Sequence, residues 1–231
     1  MGIIAKPLGF LLTWLYGLVG NYGISLIILT VAIKLLMYPL YKKQIKSTMG
    51  MSALQPKIQE IQQKYSKDQA MMNEKMQELY AKEGFSMYNG CLPMIVQMVV
   101  ITGLFALLRN PMSYIESDGM LLAIHESFLW IPDLAQPDKW ILPLIAGIAT
   151  FVAFAFSQTS QPGANAAQMK IMTSMMKYLF PVMILLMARS YPAGLAIYWA
   201  GSQTVQIFYN IRFSKMKKKF KEEQNKKNRK K

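Results

Sequence analysis

Cysteine and histidine occur once each, as Cys91 and His125. A lone thiol makes no internal disulfide and no thiolate metal cluster. Cys91 therefore reads as a structural residue near a helix start, and His125 as a loop histidine. There is no Gly-rich phosphate loop, no His/Cys metal constellation and no nucleophile–base pair. Enzyme function and bound cofactors thus have no support in the sequence. Acidic residues are scarce, 12 against 26 Lys and Arg, and none lies within a long apolar run. This removes the intramembrane carboxylate that a proton- or sodium-coupled transporter generally needs. The start, "MGIIAKPLGFLLTWLYGLVGNYG", lacks a region rich in Lys or Arg and a small-residue cleavage site. It does not read as a secretory signal.

Hydrophobic residues make up 53% of the 231, and they come in long runs separated by polar blocks. A helix of about 20 apolar residues spans the hydrocarbon layer. The distribution predicts an all-α integral membrane protein; a buried soluble helical core is the alternative. Five spans are expected, at 22–41, 88–109, 139–158, 171–188 and 193–212. Residues 1–21 read as an amphipathic helix lying in the interface, with Trp14 and Tyr16 at headgroup depth.

The polar segment 42–86 reads as a helical hairpin. Leu54, Ile58, Ile61 and Tyr65 share one helical face. Ser66 or Asp68 can cap a second helix, in which Met72, Met76 and Leu79 share a face and Gly84 is the stop. This segment carries Lys42, Lys43, Lys46, Lys57, Lys64, Lys67, Lys75 and Lys82. The tail 213–231 is strongly basic, whereas 110–138 holds five acidic residues and no Lys or Arg. The positive-inside rule puts the hairpin and the tail in the cytoplasm, with the N-terminus and 110–138 outside. Five spans satisfy that alternation. The outer segment is expected to rest on the membrane surface, with Trp130 and Trp140 as anchors.

Lys34 lies in the middle of "ILTVAIKLLMYPLY", about 15–18 Å along the first span. A lysine at that depth costs about 2.5–3.5 kcal/mol. Snorkelling toward the headgroups is one reading. The sharper one is a wet cavity between helices, with Thr30 one turn away on the same face. Gln97, Ser157, Gln158, Gln203, Thr204 and Gln206 are further candidates for its lining. With no carboxylate in any span, the counter-charge comes from solvent or from a ligand. A binding site for small anions, in a transporter or channel, would use the same groups.

Several stretches resemble the YidC membrane protein insertases, which have relatives in mitochondria and chloroplasts. "NYGISLIILTVAIKLLMYPLYKKQIKS" is similar to the family's first core helix, "LQPKIQEIQQKY" to its hairpin and "GCLPMIVQM" to the start of its second core helix. "YPAGLAIYWAGSQTVQI" is similar to its fifth, and "FLWIPDLAQPDKWILPLIAG" adds a looser match. The resemblance implies five transmembrane helices around a hydrophilic groove that opens to cytoplasm and lipid, in a bacterial cytoplasmic membrane. It implies a positive residue in the first core helix, usually arginine; here that position is Lys34, which keeps the charge but loses the bidentate fork. Met98 and Trp199 resemble the substrate-contacting apolar wall, with Tyr198 beside the latter.

The implied activity is insertion of nascent membrane proteins without a nucleotide, by a chain that works as a monomer. Lys34 would draw in an acidic segment while Thr30, Gln97, Tyr198 and Gln203 line its path. An assembly chaperone that does not insert is a further alternative. Lys57, Lys64, Met72 and Met76 are the expected contacts of cytoplasmic partners, the Sec translocon and the signal recognition machinery among them. Lys215, Lys217, Lys218, Lys219, Lys226, Lys227, Arg229, Lys230 and Lys231 are the expected contacts with the ribosome or with anionic lipid. Simple disorder is the third reading of that tail. The 19 methionines suit either bilayer-compatible filling or surfaces that meet many apolar partners.

Overall fold

The computed structural model describes residues 2–84, 88–115, 117–157, 171 and 173–228. Among these, side chains are placed except at 2, 48–49, 51–53, 88–91, 93–94 and 216–228. The described residues form helices and no named strand. The helices are α1 (Gly2–Val19), α2 (Tyr22–Lys64), α3 (Gln69–Lys82), α4 (Tyr88–Arg109), α5 (Asp118–Ala123), α6 (Ile141–Phe156), α7 (Phe180–Ala188) and α8 (Ala193–Asn228). A π-helical turn, Met175–Leu179, leads into α7.

Two boundaries differ from the sequence expectation. The first span and the first arm of the hairpin are one helix, α2, of 43 residues. Its two internal prolines, Pro39 and Pro56, each remove one helical donor. The Lys, Gln, Leu and Ile around them are good enough helix formers to continue. The basic tail is not a separate segment either. α8 runs on to Asn228, because no Gly or Pro interrupts 202–231 and Lys, Glu and Gln favour helix. Residues 213–228 continue this helix. Residues 229–231 lie outside the described residues.

The hairpin forms through one small apolar cluster. Leu54 and Ile58 of α2 meet Met76 and Tyr80 of α3, with Ile61 and Leu79 alongside. Of the two possible caps, Asp68 serves: its Oδ1 accepts from the Met71 amide at 3.0 Å. Gly84 ends the arm with φ +65°, a conformation that glycine adopts without a Cβ penalty.

The remaining helices pack as an arc. α1 and α4 lie against α2, α2 against α8, α8 against α6, and α6 against α7, while α4 touches α8 more lightly. Tyr22, Leu26, Leu29, Ile33, Met37 and Tyr41 give α2 its buried stripe. Each packed helix also shows an apolar outer face. Phe10 and Trp14 are exposed on α1, Leu35 and Leu36 on α2, Ile95 and Met98 on α4, Ile148 on α6, and Val182 and Leu186 on α7. An apolar belt of that extent fits hydrocarbon. By length and composition, the segment Tyr22–Ser47 can cross a membrane. Shorter apolar helices cover Ile3–Val19, Ile95–Arg109, Ile141–Phe156 and Met175–Ala188.

The segment between α4 and α6 clasps the amino ends of three helices. The Glu126 carboxylate accepts from the Tyr22 amide at 2.9 Å, the start of α2, and from the Tyr16 hydroxyl of α1. The Leu134 and Gln136 carbonyls accept from Gly194 and Ala193, the start of α8, at 3.1 and 2.9 Å. Asp138 accepts from Leu142 of α6 and from the Trp130 indole, both at 2.9 Å. Each acceptor meets orphan N–H groups at a helix start. The Arg189 guanidinium lies 4.1 Å from the centre of the Trp140 ring. His125 sits in this segment, paired with Asp133 at 3.0 Å. Helix α1 is a packed member of the bundle as well as an apolar surface: Ala5, Leu8, Leu12 and Leu15 are buried. A Cβ on Gly103 of α4 would come within 2.6 Å of the Ile4 side chain.

Candidate functional site

The α2 residues Leu26, Thr30 and Lys34 recur every four positions, one helical turn apart. That face turns inward, so the charge goes with it: Lys34 is only 3% exposed. Its Nζ donates to the Tyr41 hydroxyl at 3.0 Å and to Gln97 Oε1 of α4 at 3.2 Å. It also lies 5.2 Å from the centre of the Tyr41 ring. An ammonium offers only donors, so Gln97 must turn its oxygen to Lys34 and its NH2 elsewhere. That NH2 donates to the Tyr198 hydroxyl of α8 at 3.0 Å. One amide thus links the cation on α2 to a phenol on α8. Tyr209, one helical stretch further along α8, donates to the Lys34 backbone carbonyl at 3.0 Å. Among the described residues no carboxylate pairs with Lys34.

The other expected lining residues divide. Thr30 is buried, but its hydroxyl donates to the Leu26 carbonyl at 2.7 Å. Its methyl lies against Gly201 of α8. Met98 follows Gln97 by one residue, points the other way and is 57% exposed. Trp199 likewise turns away from Tyr198. Its indole donates to Thr150 of α6 at 2.9 Å, and its ring lies 6.3 Å from Phe180. Gln203 is half-buried on α8. Thr204 donates to its own helix, at the Ala200 carbonyl. Gln206 donates to Asn210, which in turn donates to the Ala153 carbonyl of α6. Ser157 is half-buried at the end of α6. Gln158 lies outside the described residues.

Sequence reasoning did not single out Tyr41, Tyr209 or Thr150. Tyr41 had a usable signal, since position i+7 lies on the same helical face as Lys34. Tyr209 and Thr150 had none. A second lysine inside an expected span, Lys177, also went unweighed. It sits in the π-helical turn, with its Nζ near the Phe151 and Tyr178 rings.

In the hairpin, Lys57 pairs with Glu83 at 2.6 Å, and Lys64 lies over the Tyr65 ring. Met76 is buried inside the hairpin and Met72 is half-buried. Met76 is thus used within the hairpin itself, because only its side of α3 faces α2. A cleft of about 360 Å³ opens beside that cluster, lined by Lys64, Lys75, Glu78 and Lys82 among others. Of the tail lysines, Lys215 is exposed. The side chains of Lys217, Lys218, Lys219, Lys226 and Lys227, and all of Arg229, Lys230 and Lys231, lie outside what is described.

A family model described as "60Kd inner membrane protein" matches residues 14–228. "Membrane protein insertase YidC" of Oceanobacillus iheyensis is 36% identical over 220 residues, covering 92% of this chain and 82% of the relative. Its namesake in Fusobacterium nucleatum is 38% identical over 206 residues, covering 89% and 92%. "Membrane protein insertase MisCA" of Bacillus subtilis is 39% identical over 204 residues, covering 85% and 72%. Among solved structures, an active YidC insertase crystal structure with its first transmembrane domain resolved superposes with a TM-score of 0.61 at 27% identity. That match covers 89% of this chain and 45% of the solved one, so this chain spans under half the length of that protein.

Proposed function

We infer the working of the Lys34 centre from this premise: the chain belongs to the 60Kd inner membrane protein family, and it is a membrane protein insertase of the bacterial inner membrane. Insertion requires a polar segment to cross hydrocarbon while an apolar one stays behind in lipid. The five apolar stretches are read as spans, with the hairpin and the basic tail on the cytoplasmic side. The arc of helices encloses a hydrophilic groove with Lys34 at its heart. An acidic segment of a nascent membrane protein is drawn to that ammonium, and Gln97 and Tyr198 supply the polar contacts beside it. The substrate's apolar helix leaves along the outer faces of α4 and α8, near Met98 and Trp199. Transfer of its side chains to lipid drives the step at about 25 cal/mol per Å² removed from water.

The observation that carries this reading is a buried ammonium hydrogen-bonded to a phenol and an amide, with no carboxylate beside it among the described residues. These neutral partners accept from two of its three N–H donors and leave its charge uncompensated. The clasp formed by Glu126, Leu134, Gln136 and Asp138 supports a groove closed at that end. The basic tail is read as a contact for the ribosome, with anionic lipid as a second partner; the Sec translocon and the signal recognition machinery are further candidate partners through the hairpin. No covalent chemistry is assigned.

The test compares Lys34→Ala and Lys34→Arg with the parent in vesicles lacking other translocons. Substrates differ only in having an acidic or a neutralised outer tail. Arginine should preserve preference for the acidic tail, and alanine should abolish it. Equal insertion by all three proteins, across several acidic substrates, removes charge capture as the mechanism.

A further inference from the structure

The Cα–Cβ bonds of an α-helix tilt toward its amino end. Tyr41 therefore leans back along α2 toward Lys34. Lys34 must turn against that tilt to meet it. The two residues are about 10 Å apart along the helix axis, and their side chains close that gap with a 3.0 Å hydrogen bond. The direction is the one a snorkelling lysine takes toward the hairpin end of the span, and Tyr41 is what it meets.

Tyr41 is itself only 6% exposed. Its ring centre lies 5.5 Å from that of Tyr209, which lies 5.5 Å from Tyr38 and 6.2 Å from Phe213. Tyr38 and Phe213 are stacked. Four aromatic rings, two from α2 and two from α8, thus fill the space between the helices on the hairpin side of Lys34. Tyr209 pins this group to the backbone of Lys34 itself.

We propose that Tyr41 is a gate and a positioning residue for insertion: its ring closes the hairpin-side approach to Lys34, and its hydroxyl holds the ammonium until a substrate anion displaces it. This rests on the reading of Lys34 as the receiving charge. A carboxylate makes a charge-assisted bond to an ammonium, roughly twice as strong as one from a neutral oxygen. It can therefore displace the phenol, which a neutral polar segment cannot. Tyr41 in this way sets a threshold that acidic segments cross. Its hydroxyl competes with the substrate, and its ring restricts access.

Two measurements test this. First, Lys34 is replaced by Cys in a Cys91→Ser background, and labelling by a small anionic thiosulfonate is timed in native membranes. Tyr41→Ala should label about tenfold faster than Tyr41, the scale of a lost local closure, with Tyr41→Phe close to the parent. Second, Tyr41→Phe in the chain that retains Lys34 should lower the ratio of acidic-tail to neutral-tail insertion by raising neutral-tail insertion, because no phenol is left to displace. A fall of about fivefold corresponds to one lost hydrogen bond. Equal labelling rates for Tyr41 and Tyr41→Ala, or an unchanged insertion ratio in Tyr41→Phe, overturn the assignment. The phenylalanine variant keeps the ring and its packing, so it reads even where alanine prevents folding. Lys34→Ala run alongside separates the two ideas. If it collapses the ratio while Tyr41→Phe does not move it, the gate alone fails. If it leaves the ratio unchanged, the receiving role of Lys34 fails, and the labelling rates still report whether Tyr41 closes the approach.

Discussion

At the scale of single residues, the chain places polar groups in apolar surroundings and gives most of them one defined partner. Trp199 illustrates the consequence. Its indole N–H is held by Thr150 Oγ1, which in turn donates to the Ala146 carbonyl at 2.6 Å. Thr150→Val keeps the shape but strands the indole donor, and should destabilise by about 1–3 kcal/mol. Thr150→Ser keeps the acceptor and should lose less. Thermal unfolding in detergent, followed by tryptophan fluorescence, checks both. Asp138 gives a pH prediction. Its partial burial works to raise the carboxyl pKa, but hydrogen bonds from the Trp130 indole and the Leu142, Trp140 and Ile141 amides outweigh that and hold it below the ordinary value. A depressed folded pKa means that the stabilisation is present above about pH 4, the unfolded value. It is lost as pH falls through the lower folded value. Asp138→Asn should flatten that acid limb of a stability–pH curve, while the parent keeps it.

At the scale of elements, α2 decides the architecture. One helix carries the buried charge, two of the four aromatic rings beside it and the first arm of the hairpin, so a rotation of α2 would move all three together. Its amino end is fixed by Glu126 and by a close approach at Gly23, where an added Cβ would fall 2.3 Å from the Phe128 ring. The half-buried Phe128 ring, packed against the core, would have to shift to admit it. Gly23→Ala should therefore cost about 1–3 kcal/mol through overpacking, read as a lower melting midpoint. The alternation of Leu54 and Ile58 with Met76 and Tyr80 makes the hairpin a separate small core. Its sequence period was legible, and its cap was narrowed to Ser66 or Asp68, because a hairpin is local. The continuity of α2 through residues 42–64 was not. A change from apolar to polar composition marks where a membrane ends, and says nothing about whether the helix does.

At the scale of the whole molecule, a net charge of +14 is distributed unevenly. Lysines crowd the hairpin and the extension of α8, and acids crowd the segment that clasps the opposite helix ends. The extension of α8 through Asn228 carries the basic tail on a helix. Truncation after Arg212 should lower co-sedimentation with ribosomes and flatten its dependence on salt, since each phosphate contact releases counterions. Unchanged, salt-resistant binding by the truncated chain would place the contact elsewhere.

The sequence by itself determined where the apolar stretches lie, that Lys34 sits within one of them without an acid, which residues share the hairpin's apolar faces, and which family the motifs resemble. All of these are properties of one segment at a time. Only the tertiary structure decided that Tyr41 and Gln97 hold Lys34, that Thr30 bonds its own helix, that Trp199 turns toward Thr150 instead of Tyr198's side, and that Glu126 joins α1 to α2. Helical period fixes which residues share a face. It does not fix how that face is rotated against its neighbours, and a few tens of degrees of rotation decide which of two adjacent residues meets the buried charge.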